Sequence, residues 1–238
     1  MSYLLYCVFR SLPQPEPEAL TGVERQPVSV IDHRGFGAAI SELNEADSRP
    51  DVASVLAYER VMESFFGRRT IIPMRYGCAV RDQLELAAVL DKHYKECDAL
   101  LHRLEGLAEM GIQVPARDSG IGAAAVPPVR FHDSNQSGSS YLLSKQLHYR
   151  GADRNVERQN ELVETVCRPL AGLFVDRKVE LPSREKPLLS LYFLVPRASV
   201  EAFREASHST PSQATRLAVS GPWPPYNFAG ISSESGMS

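Results

Sequence analysis

Three prolines, Pro222, Pro224 and Pro225, surround the only tryptophan of this chain, Trp223, and lead into Tyr226, Asn227 and Phe228. Each proline fixes φ and removes a backbone donor, which excludes this stretch from helix interiors and central strands. The segment is expected to run as a stiff, polyproline-like strap with little entropy left to lose, presenting Trp223, Tyr226 and Phe228 at fixed positions. Such a strap suits packing and supplies no acid, base or nucleophile. Aromatics after a final strand usually bury themselves, so the three are expected to close the core of a second domain. The other reading is a docking surface, where rigid aromatics give contact area at low entropic cost.

The rest of the chain sets the frame for that strap. Its 238 residues suffice for one large domain or two of common size, and 43% hydrophobic with 23% charged residues is the balance of a globular protein with a real core. A net charge of −3 gives no electrostatic footprint for nucleic acid or an anionic membrane. Cys7, Cys78, Cys97 and Cys167 are scattered without a C-x-x-C pair. They read as reduced, mostly buried thiols of a cytoplasmic protein. The longest apolar runs, such as Leu188 to Val195, fall well short of the roughly 20 residues that span a bilayer. Neither that length nor the first residues suggest a membrane segment or a signal peptide.

Periodicity gives an α+β order. Tyr3 to Phe9 reads as a buried strand, and residues 28–31 and 36–40 as a hairpin turning through Asp32-His33-Arg34-Gly35. Asp51 caps a helix carrying Val52, Val55, Leu56, Met62 and Phe66 and ending at Gly67. Thr70 to Pro73 is a short strand with Met74-Arg75-Tyr76-Gly77 at its exit, and one long helix follows from about Arg81 to Leu107 with Leu84 on its apolar stripe. The pattern then restarts, placing a boundary near Ala108. Met110 to Pro115 is a strand, Ala116 to Ser140 a long loop, and Tyr141 to Leu170 a helical stretch. Leu173 to Val179 and Leu188 to Val195 are strands, a helix runs from Pro196 to Ala206, and Gln213 to Val219 is the last strand. The predicted organisation is an N-terminal α+β domain over 1–107, a C-terminal ferredoxin-like (βαββαβ) domain over 108–230, and a frayed tail over 231–238.

Gly221-Pro222-Trp223-Pro224-Pro225-Tyr226-Asn227-Phe228 is similar to the G-P-W-P-P-Y-x-F ending of the gas vesicle protein F and L family. Ile72-Pro73-Met74-Arg75-Tyr76-Gly77 resembles that family's L-P-L-R-F-G segment, and Gly138 to Lys145 its G-x-x-Y-L helix start. Tyr3-Leu4-Leu5-Tyr6 and Glu109 to Val114 also fit, so the matches run in family order over nearly the whole chain. The resemblance implies two α+β domains, the second a modified ferredoxin-like fold, in an accessory or minor structural protein of gas vesicles in the cytoplasm. The implied partners are the major gas vesicle shell protein and other gas vesicle accessory proteins. The implied role is chaperone-like, limiting shell-protein aggregation during nucleation and assembly. Length leans towards F over L.

The remaining candidates read as structural. Arg75, leaving the core between Met74 and Tyr76, is expected half-buried in an ion pair or carbonyl clamp, with an exposed interaction role as the other reading. His93, Cys97 and His102 share one predicted helix but are too few and too poorly aligned to expect a zinc site. No G-x-S-x-G elbow, phosphate-binding loop or dinucleotide fingerprint occurs, so no catalytic residue, metal or cofactor is expected. Tyr192 and Phe193 raise a ferredoxin-like nucleic-acid binder as the alternative. Adjacent strand residues face opposite sides, however, and the acidic charge argues for buried core.

Overall fold

The computed structural model describes residues 2–11, 20–43, 51–115, 157, 160–182, 188–208 and 217–230. The expected loop at 116–140, the match at Gly138–Lys145, the start of the helix expected from Tyr141 and the tail at 231–238 lie outside them. The chain is a mixed α+β protein with two antiparallel sheets. It separates into two compact units, Met1–Glu109 with Gly221–Ser238, and Met110–Ser220. The strap therefore falls with the first unit, whereas the expected organisation places it in the second domain.

The first unit is built on a five-stranded sheet, β2-β3-β1-β4 with β5 also on β1. Its strands are β1 (Ser2–Arg10), β2 (Ser29–His33), β3 (Phe36–Leu43), β4 (Ile71–Pro73) and β5 (Ala79–Val80). Arg34 and Gly35, at φ 49° and 88°, form the two-residue turn between β2 and β3, whose left-handed geometry matches the twist of a hairpin. Phe9 pairs with Gly37 and Arg10 with Phe36, so these neighbouring pairs address opposite faces of the sheet. A Cβ at position 37 would run into the Phe9 ring, which is why glycine stands there.

Helix α1 (Val52–Phe66) covers one face, stacking Tyr58 on Tyr6 at 5.0 Å and Phe65 on Phe9 at 5.3 Å. Asp51 caps it by accepting from the Ser54 N–H at 2.7 Å. On the opposite face, Tyr94 packs on Phe36 at 4.9 Å and Asp98 pairs with Arg10 at 2.6 Å. The single long helix expected over 81–107 is instead two, α2 (Gln83–Lys92) and α3 (Tyr94–Arg103), parted at His93. The break falls where Tyr94 docks on Phe36, a tertiary contact that periodicity does not reveal. Leu86 and Leu90 turn inward, while Leu84 is 81% exposed.

In the second unit the sheet order is β7-β8-β6-β9. β6 (Leu107–Pro115) and β9 (Ala218–Trp223) each begin or end across the division between units. β8 (Leu188–Pro196) is the buried apolar strand expected, with Phe193 between Phe174 at 5.0 Å and Phe203 at 5.2 Å. Phe203 comes from α5 (Val200–His208), which follows a short turn of 3-10 helix at Arg197–Ser199. Val163 and Val166 are the buried side of α4, described over 160–167. β7 (Asp176–Glu180) lies later than the expected 173–179 and is exposed throughout. Four of its five residues, Asp176, Arg177, Lys178 and Glu180, are charged, which suits an edge strand that must not recruit another chain.

Candidate functional site

The strap divides in the middle. Its first part is strand, since β9 continues through Gly221, Pro222 and Trp223 at the edge of its sheet. The expected polyproline conformation is thus wrong for these residues, because an edge strand has one side on which a missing N–H costs nothing. The Gly221–Pro222 peptide is cis. Trp223 is 40% exposed and closes no core, contrary to the expectation for it.

From Pro224 onward the chain leaves the strand and turns. Tyr226 N–H donates to the Pro224 carbonyl at 2.8 Å and Phe228 N–H to the Pro225 carbonyl at 3.0 Å, a self-bonded turn. Pro224 and Pro225 are buried, Tyr226 is half-buried and Phe228 is 1% exposed. Two side chains hold the turn. Glu109, itself buried at the start of β6, accepts from Asn227 N–H at Oε2 (2.8 Å) and from Asn227 Nδ2 at Oε1 (2.6 Å). Arg103, at the last residue of α3, donates from Nη2 to the Phe228 carbonyl at 2.6 Å. A carboxylate using both oxygens on one residue gives orientation as well as energy.

The 72–77 segment packs against β1 and α1. Met74 N–H donates to the Tyr6 carbonyl at 2.9 Å, and the Met74 carbonyl accepts from Tyr58 Oη at 2.8 Å. Tyr76 meets the Tyr58 ring edge-on at 5.2 Å. Burial raises the Tyr58 hydroxyl pKa above its ordinary value, with nearby Tyr226 adding to the effect. Tyr226 is itself raised, first by burial and then by Cys7, Glu59 and Glu109. The 72–77 segment therefore packs on Tyr58 through Met74 and Tyr76. Arg75 does not join them: it is exposed, and its backbone carbonyl accepts from Cys78 N–H at 3.1 Å in the turn that Gly77 closes at φ 88°. The expected half-buried clamp is corrected, because the turn directs the guanidinium outward.

The sequence does not single out Tyr58, Arg103 or Glu109 as holding the two segments, although two of the three carry a signal. Residues 58, 61, 62 and 65 lie on the stripe that α1 buries; of the expected apolar positions Met62 and Phe66 are buried, whereas Val52, Val55 and Leu56 are exposed. Glu109 is a lone carboxylate within the run Leu107 to Ile112, and a charge there needs a partner. Arg103 had no signal, since its partner lies in the distant strap.

Among the described residues, no group of three or more His, Cys, Asp or Glu side chains is arranged to hold a metal ion. His93 Nδ1 pairs with Glu96 Oε2 at 2.9 Å, Cys97 is buried, and His102 is exposed. Burial lifts the pKa values of the Cys78 and Cys97 thiols to about 11, which keeps them protonated and unreactive near neutrality. Phe193 is fully buried and Tyr192 donates to Glu180 Oε2 at 3.4 Å, so this pair does not form a base-stacking platform. No described helix is long and apolar enough to cross a membrane.

These features define a mixed α+β protein whose sequence-marked segments are packed turns held by tertiary contacts. Residues 2–230 match the family described as gas vesicle synthesis protein GvpL/GvpF, and the chain belongs to that family. It is 24% identical to gas vesicle protein L of a Streptomyces species over 97% of this chain and 93% of that protein. Identity to gas vesicle protein F1 of Halobacterium salinarum is 23%, over 90% of this chain and 85% of that protein. The crystal structure of GvpF from Microcystis aeruginosa aligns with a TM-score of 0.76 at 17% identity, covering 97% of this chain and 99% of that one. GvpF from Anabaena sp. aligns at 0.73 with 21% identity and the same coverage.

Proposed function

We propose that this protein is a non-catalytic gas vesicle accessory factor that binds the major shell protein, limits its aggregation and assists vesicle nucleation and assembly. The family match over residues 2–230 carries the reading. Exposed apolar side chains on α1 (Val52, Val55 and Leu56) and the half-exposed Trp223 support it, since an apolar partner needs apolar surface to meet. Other gas vesicle accessory proteins are further partners on this reading, and the gas vesicle is its place of work.

The second unit is proposed to be a modified ferredoxin-like domain beginning near Ala108. The order β7-β8-β6-β9, with α4 after β6 and α5 after β8, supports that assignment. The test is light scattering of the purified shell protein with and without this chain, beside a pull-down between the two. Suppressed scattering at sub-stoichiometric to equal ratios, with co-purification, is the expected result. Unchanged scattering and no capture would overturn the proposal.

A further inference from the structure

We propose that the face of the first unit receiving residues 224–229 is a peptide-recognition site, filled here by the chain's own strap and able to take the strap of a second copy. The inference does not depend on the gas vesicle role. It rests on how the strap is held. Glu109 and Arg103 bond the turn through their side chains, and the turn supplies backbone bonds of its own at Tyr226 and Phe228. A segment held this way resembles a docked peptide more than a strand of a sheet.

The contacts also specify the ligand. Glu109 takes both the backbone N–H and the side-chain Nδ2 of Asn227, so an aspartate there would set carboxylate against carboxylate. Arg103 reads only a backbone carbonyl and tolerates any residue in that respect. Phe228 and Ala229 are buried, as are Pro224 and Pro225 before them. The recognised class is a proline-rich turn ending in asparagine and a buried aromatic. Prolines and internal hydrogen bonds preorganise such a turn, so it loses little freedom on docking. The second copy's strap is the occupant that meets every one of these requirements.

A tethered strap competes at an effective concentration on the order of millimolar, so a strap in trans binds well only where the internal one is weakened. The test uses the full-length chain and a fluorescein-labelled peptide spanning residues 219–230, followed by fluorescence anisotropy. The Asn227→Ala chain is expected to bind this peptide at least about tenfold more tightly than the wild-type chain. Adding Glu109→Ala to that chain, or Asn227→Asp to the peptide, is expected to remove at least about tenfold of the affinity. In the wild-type chain, whose folding is not at issue, unlabelled peptide supplied above the roughly millimolar effective concentration of the tethered strap should displace it and speed amide exchange at Asn227 and Phe228. Equal binding by the wild-type and Asn227→Ala chains, undiminished binding of the Asn227→Asp peptide, or unchanged exchange at that peptide concentration would each overturn the proposal.

Discussion

Trp223 and Phe228 sit on one short strap, and they end in opposite environments. Trp223 stays 40% exposed at the end of an edge strand, whereas Phe228 is 1% exposed and has its carbonyl gripped by Arg103. Trp223 is the aromatic flanked by proline on both sides, yet it is the exposed one, so stiffness did not decide which aromatic was buried. The receiving surface did, because Glu109 and Arg103 fix Asn227 and Phe228 and leave the residues before Pro224 at the sheet edge. A rigid chain limits where side chains can point. Burial depends on what they point at.

The largest effect is expected at the buried end. Phe228→Ala should cost about 3–5 kcal/mol, the range of large-to-small changes in a packed core, measured by denaturant unfolding. A loss under about 1 kcal/mol would erase the contrast with Trp223. Next comes Glu109→Ala, which leaves two Asn227 donors without their carboxylate and should cost about 1–3 kcal/mol. Glu109→Gln should recover only part of that loss, since its amide nitrogen faces one of the two donors. Full recovery would mean that the bidentate contact contributes little.

Trp223→Ala should change stability by about 1 kcal/mol or less, as at partly exposed sites, while reducing capture of the shell protein in a pull-down. A melt as badly affected as that of Phe228→Ala would place the tryptophan in a core after all. Normal capture would remove it from the docking surface.

The smallest effect lies at the β2–β3 turn, where Asp91 meets His33 and Arg34, and serves as a control. His33 and then Arg34, both 2.9 Å from Asp91 Oδ1, hold that carboxyl below its usual pKa. A carboxyl depressed in the folded state adds stability above its unfolded pKa, about 4, and that stability is lost as pH falls through the folded value. Asp91→Asn should therefore flatten the acid side of the melting profile below about pH 4 and leave the strap variants' losses unchanged. A changed Phe228→Ala loss in the Asp91→Asn background would mean that the two regions are coupled.

Local chemistry made much of the fold legible in the sequence. Alternation and apolar runs marked β1 and β8, Asp51 and Gly67 marked the ends of α1, and Arg34-Gly35 marked the hairpin turn, because each depends on residues close along the chain. The same locality explains the failures. The break at His93 coincides with Tyr94 meeting Phe36, which lies far back in the sequence on β3. The charged residues of β7 suit a strand only at a sheet edge, and sheet order is not written in one strand. Proline spacing alone determined that residues 221–228 would be neither helix nor central strand. Which unit they join was settled by Glu109 and Arg103, more than a hundred residues earlier in the chain, because a buried carboxylate and a guanidinium find partners through space and not through sequence.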